Sequence, residues 1–175
     1  MKSSPSSRRT RAPATSRNNR RPVGGYPYMS IRDRLRSRKQ RITKYTESEL
    51  RDRLSPEEFR IAQGGTEAPY SGEYREVDVD GTYHCRVCDA ELFSSDTKFD
   101  PHGAWPAFRA PLDGAVGKRS EWSFGIPRTE SVCGECGVHL GHVFPDGPGG
   151  QDTRYCINST SLRLEPAEQP AAPNS

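Results

Sequence analysis

Cys85-Arg-Val-Cys88 and, after 44 intervening residues, Cys133-Gly-Glu-Cys136 are two C-x-x-C knuckles in one short chain. A single knuckle is a weak signal that also fits a redox dithiol. Two knuckles supply four soft thiolates, the donor set of a closed tetrahedral zinc site. Gly134 and Gly137 ease the tight turn the second one needs. The competing readings are a pair of redox dithiols or a disulfide framework. No secretory signal favours the latter, and cysteines two residues apart make a strained bridge. The long spacer implies that zinc joins two distant hairpins. A four-thiolate site has no open position for water, so this metal is expected to hold the fold rather than do chemistry.

Working outward, Thr46-Glu-Ser-Glu49 and Ser55-Pro-Glu-Glu58 are two capping boxes, and Gly64-Gly65 is a stop. Two short helices are therefore expected before the first knuckle. Beyond residue 66 the segments are short and punctuated by Gly, Pro, Asp and Ser. Gly81–Val87, Ser120–Phe124 and Arg154–Leu164 read as strands. The pattern predicts a mainly β domain of antiparallel sheets with helices at its N-terminal edge. Leu92, Phe93 and Phe99 read as core, Trp122 and Phe124 as core or groove wall, His102 as a solvated loop residue, and His84 as an exposed strand residue, with a zinc neighbour as the alternative.

The 175 residues divide by charge. Residues 1–44 carry +13 and residues 45–166 with the tail carry −10, which gives the net +3. The basic segment has little apolar side chain to bury and is expected to be disordered alone. It fits an organelle transit peptide over residues 1–28, a nucleic-acid tether, or a translation start at Met29. The acidic body has the wrong sign for phosphate contacts, which argues against a zinc-ribbon nucleic-acid binder. No apolar run approaches membrane-span length. The expected organisation is an extension over 1–44, one domain over 45–166 and a tail over 167–175. Reduced, metal-bound thiolates point to the cytoplasm.

Cys156 is the fifth cysteine, in Arg154-Tyr-Cys-Ile-Asn-Ser159. As one strand, period two puts Cys156, Asn158 and Thr160 on one face, with Arg154 beside the thiol. Positive charge lowers a thiol pKa, and the thiolate is the nucleophile. His139 and His142 are the other partners in view. A lone strand cysteine can equally be a small buried hydrophobe.

The ordered string resembles the methionine-R-sulfoxide reductases of the B type. It runs from Gly65-Thr-Glu-Ala-Pro-Tyr-Ser-Gly-Glu-Tyr74 through Tyr83-His-Cys-Arg-Val-Cys88, Trp105-Pro-Ala-Phe108 and Arg128-Thr-Glu130. It ends with His139-Leu-Gly-His-Val-Phe-Pro-Asp-Gly147 and Arg154-Tyr-Cys-Ile-Asn-Ser159. The resemblance implies two small antiparallel sheets in a tent-like arrangement and zinc on Cys85, Cys88, Cys133 and Cys136. It implies Cys156 as nucleophile toward the R epimer of methionine sulfoxide, chiefly in oxidised proteins, as a repair of oxidative damage. His139, His142 and Asn158 would bind or protonate the sulfoxide oxygen. Trp105 would receive the S-methyl group, with Phe144 and Arg154 nearby. The expected assembly is a monomer. One departure stands out. Many family members carry a resolving cysteine at the position of Gly103. Without it, the Cys156 sulfenic acid is expected to be reduced by thioredoxin or another external thiol. The rival reading is a non-enzymatic zinc module of the same architecture that binds a protein or ligand in its groove.

Overall fold

The computed structural model describes residues 43–123, 125–149 and 152–168. The expectations placed on residues 1–42, on Phe124 and on the tail from 169 lie outside them. Both helices form where the capping boxes put them, α1 over Glu47–Arg53 and α2 over Pro56–Ala62. Thr46 and Ser55 each accept from the N3 backbone N–H while Glu49 and Glu58 reach back, so each box satisfies two donors the helix leaves open.

Among the described residues nine strands follow: β1 (Gly81–Cys85), β2 (Glu91–Ser94), β3 (Lys98–Phe99), β4 (Ala107–Phe108), β5 (Val116–Ser123), β6 (Ile126–Cys133), β7 (His139–Phe144), β8 (Arg154–Ile157) and β9 (Leu162–Pro166). They build two antiparallel sheets, ordered β2-β1-β9 and β3-β4-β8-β7-β6-β5. The expected fold class, mainly β with two short helices, is the one observed.

The core lies between the sheets. Tyr83 and Phe93 from the first meet Phe108 and Tyr155 from the second. Phe93 stacks on Phe108 at 4.3 Å and Tyr83 meets it edge-on at 5.1 Å. Leu92 and Phe93 are fully buried as expected, and Phe99 is half-buried at the sheet edge under Arg109. On β8 the pleat sends Tyr155 and Ile157 inward and leaves Arg154 and Cys156 on the opposite face.

Three expectations are corrected. Arg154–Leu164 is not one strand. β8 ends at Ile157, a 3-10 turn spans Ser159–Ser161, and β9 begins at Leu162 in the other sheet. The chain changes sheets here, so the period-two alternation that put Asn158 and Thr160 with Cys156 does not run past Ile157. His84 is 8% exposed, because β1 is the central strand of its sheet. Its Nδ1 lies 2.9 Å from the Asp89 carbonyl, across the first knuckle. Trp122 is 63% exposed rather than core. It pairs with Pro127 near the end of the β5–β6 hairpin, past the last β6–β7 pair, Thr129–Val143.

Candidate active site and metal centre

The two knuckles follow β1 and β6, one in each sheet, and the fold brings them together. The four Sγ atoms all lie within 4.8 Å of one another. Cys85 and Cys136 sulfurs are 3.8 Å apart, and Cys88 and Cys133 sulfurs 3.6 Å. A tetrahedron of thiolates about 2.3 Å from a central zinc has edges of about 3.8 Å, so the donor set and spacing fit that ion. A backbone turn closes each knuckle, with the Asp89 N–H donating to the Cys85 carbonyl and the Gly137 N–H to the Cys133 carbonyl, at 2.9 and 2.8 Å. The crowded thiols drive one another apart in acidity. Cys85 is pushed up by its three sulfur neighbours, while hydrogen bonds from Cys136 and Cys85 pull Cys133 down to about 2. A cation among them removes that conflict. These cysteines are positioned to bind a metal ion.

Cys156 stands apart, half-buried on the outer face of the six-stranded sheet. Its cross-strand partners are His142 on β7 and Ala107 on β4. Cross-strand partners share a face, so the imidazole flanks the thiol. The same row continues from His142 to Glu130 and from Glu130 to Arg119. Two histidines three residues apart would ordinarily point to opposite faces of a strand. Here a bulge intervenes. Ser131 faces Gly141, but Val132 faces His139, so Leu140 is left unpaired in the register. The extra residue restores the parity. His139 and His142 consequently lie side by side, with ring centroids 5.4 Å apart. Gly141 is required at this crowded place, since a Cβ there would stand 2.1 Å from the Cys156 carbonyl oxygen.

Each imidazole has a carboxylate. His139, 1% exposed, places Nδ1 2.7 Å from Glu130 Oε1, and His142 places Nε2 3.3 Å from Glu121 Oε1. Burial pushes the His142 pKa down, Glu121 opposes this, and the nearby His139 and Arg128 charges add to the lowering. Burial likewise pushes the Cys156 thiol up, and the Arg154 guanidinium partly draws it back. Arg154 is fixed by two hydrogen bonds of 2.9 Å to Asp146 and lies 4.5 Å over the Phe144 ring. Phe144 and Arg154 are themselves a cross-strand pair.

Trp105 and Asn158 occupy the other side. Pro106 accepts from the Ile157 N–H at 3.0 Å, which places Trp105 beside the exit of β8. Its indole Nε1 is buried and finds no acceptor among the described residues. Asn158 is 3% exposed and committed at both ends of its side chain. Nδ2 donates to the Leu140 carbonyl at 3.0 Å and Oδ1 accepts from the Glu67 N–H at 3.1 Å.

Glu67, Glu121 and Glu130 carry structure here that residue-by-residue reading assigned to none of them, and Asp146, read only as part of a turn with Gly147, holds Arg154. The Glu67 carboxylate accepts from the Ser159 N–H, the Thr160 N–H and the Thr160 hydroxyl at 2.7, 2.9 and 2.7 Å. Glu67 and Glu130 sit inside the motif strings of the resemblance, the one signal that pointed to them. His102 stays in solvent.

Four thiols gathered into a clamp, and a fifth kept apart among titratable groups, is the division of labour of a thiol-dependent oxidoreductase. The sequence comparisons agree. Residues 54–166 match the SelR domain. The chain is 50% identical over 121 residues to the peptide methionine sulfoxide reductase MsrB of Azotobacter vinelandii, covering 68% of this chain and 91% of that protein. It is 49% identical over 126 residues to the enzyme of that name from Saccharophagus degradans, covering 71% and 94%. The MsrB of Pseudomonas paraeruginosa is 49% identical over 120 residues, covering 67% and 91%. The chain belongs to the SelR family, the B-type methionine-R-sulfoxide reductases.

Among the described residues no helix is long and apolar enough to cross a membrane.

Proposed function

We propose that this protein reduces methionine-R-sulfoxide, chiefly in oxidised proteins, through a Cys156 sulfenic acid. The observation that carries the reading is the cross-strand pair of Cys156 with His142. Burial keeps Cys156 a thiol at rest, and burial also keeps His142 neutral. A neutral imidazole beside a thiol can take its proton and pass it on. The thiolate attacks the sulfoxide sulfur to form a transient S–S bond, and the proton goes by way of His142 to the oxygen, which leaves as hydroxide when the S–O bond breaks. Hydroxide then adds to Cys156 Sγ and the S–S bond breaks, releasing the thioether. The products are the thioether and Cys156–SOH, so thiol oxidation balances sulfoxide reduction. Arg154 favours the thiolate, while Asp146 and Phe144 hold its guanidinium in place. Trp105 offers an apolar indole wall for the S-methyl group. Asn158, tied at both ends, sets the chain immediately after the nucleophile and keeps one Nδ2 hydrogen for the substrate oxygen.

Zinc on Cys85, Cys88, Cys133 and Cys136 supplies cross-linking and no open coordination position. The catalytic unit we assign is residues 45–166. The Arg53 guanidinium, 4.6 Å over the Tyr45 ring, supports that starting point. Among the described residues the other four cysteines belong to the clamp. The sulfenic acid therefore condenses with an external thiol, thioredoxin or a small one, releasing water. A second thiol then releases Cys156. The acting species we assign is a cytoplasmic monomer.

The test is incubation of wild type and Cys156→Ser with dabsylated R- and S-methionine sulfoxide and dithiothreitol. R-selective turnover, lost in Cys156→Ser, is expected. Failure of a folded, metal-loaded wild type to turn over either epimer overturns the reading in favour of a binding module.

A further inference from the structure

Glu130 is a carboxylate 4% exposed, facing a histidine 1% exposed, in a row that leads directly to the nucleophile. Burying a carboxylate is costly unless it is paired and hydrogen-bonded. Its placement at the centre of the sheet follows from strand register. Glu130 lies across from His142, and the bulge at Leu140 lets it also reach Nδ1 of His139 at 2.7 Å. Ordinary pairing without the extra residue would turn His139 to the other face and leave the carboxylate beside one ring rather than two.

The consequence is directional. An ionised carboxylate only accepts, so with Glu130 as the anion Nδ1 of His139 carries the hydrogen. That fixes the tautomer and the rotation of a ring packed 5.4 Å from His142 at an interplanar angle of 68°. His142 in turn is the cross-strand neighbour of Cys156. We propose that Glu130 is a positioning residue for the reaction: it locks the His139 ring with Nδ1 protonated, and that ring holds His142 beside the Cys156 thiol. The proposal rests on the reductase reading and extends it. Glu130 touches neither thiol nor substrate. Its charge also offsets the proton that His142 takes during the transfer, which a neutral acceptor would not do. The Glu121 contact at 3.3 Å steadies His142 from the outer strand, so each imidazole is held from the side away from the thiol.

The test uses the full chain, metal-loaded, labelled with nitrogen-15 in histidine. Two-bond proton–nitrogen spectra are expected to show His139 with the hydrogen on Nδ1 in wild type. The same tautomer is expected in Glu130→Gln, whose amide oxygen still accepts, and its loss in Glu130→Ala. A wild-type His139 protonated only on Nε2 overturns the proposal, whether or not the protein reduces sulfoxide. In the kinetic arm, Glu130→Ala is expected to lower kcat on the R epimer by about 10²-fold with KM little changed, the cost of a misplaced proton carrier. Glu130→Gln should lose about 10-fold, and it carries this arm alone if the Ala variant does not fold. His139→Ala should absorb both effects, so that adding a Glu130 substitution to it costs no more than about 2-fold. Additive losses would mean that Glu130 does not act through His139. A wild type inactive on both epimers would instead sink the reductase reading and leave the tautomer result to judge this one.

Discussion

The metal clamp and the reactive centre use the same side chain and make opposite things of it. At the clamp, Cys85, Cys133 and Cys136 are each 1% exposed, and Cys88 completes a set of sulfurs within 4.8 Å. Each thiol there has sulfur neighbours, and the cluster joins two sheets. At the reactive centre a single sulfur is half open to solvent, and its neighbours are an imidazole and a guanidinium. Protonation and access, rather than the thiol itself, are what would separate a metal ligand from the proposed nucleophile. The two regions should therefore fail independently, one losing the fold and the other only the reaction.

The largest effect is expected from breaking the clamp. Removing the metal with a strong chelator, or making Cys133→Ser, should abolish the cooperative thermal transition followed by circular dichroism. Structural zinc sites contribute on the order of 10 kcal/mol to folding. Cys156→Ser should do the reverse, with no detectable turnover and a Tm within a few degrees of wild type. If both variants lose Tm equally, the separation drawn here is wrong.

A pH profile sharpens the reactive side. In the proposed proton transfer His142 starts neutral, and burial lowers its pKa below that of ordinary imidazole, with His139 and Arg128 acting in the same sense. Glu121, Glu130 and Arg119 flank it on the neighbouring strands, and Cys156 faces it from β8. Activity lost only on protonation of such a group persists as pH falls past about 6.5 and disappears lower. His142→Gln should remove that acidic limb from the kcat profile. An unchanged limb would assign it elsewhere. The smallest effect is expected at the cap of the first helix. Thr46→Ala removes one capping box and should cost about 1 kcal/mol in denaturant melts, with kcat unaltered.

Much of this was legible in the residues because it is local. The capping boxes at Thr46 and Ser55 form as written, since a cap involves side chains three positions apart. The knuckles announce themselves by spacing. What stayed hidden depends on partners distant in the chain. The bulge at Leu140 shows only in the register with β6, so the shared face of His139 and His142 could not be read from their separation. His84 looked exposed because the closing strand β9 that covers it begins 77 residues after β1 ends. Glu67 looks like any loop acid until residues 158–160 come to meet it. Gly103 remains the plainest departure. A Cβ there would come no closer than 3.4 Å to Pro101 Cγ, so space does not explain the missing resolving thiol.

The position of β9 also bears on how the protein is made. β1 pairs on one side with β2, nearby in the chain, and on the other with β9, the last strand among the described residues. Cys85, at the end of β1, lies opposite Leu162, the first residue of β9. A chain emerging from the ribosome can form the β5–β6 hairpin and gather all four clamp cysteines while β9 is still inside the exit tunnel. Cys156 is followed by only ten residues before β9 is complete. Cys156 therefore follows all four metal-ligand cysteines out of the ribosome, and the three-stranded sheet closes only after it has been added. A nascent domain at that stage already holds its metal ligands and has no reactive centre.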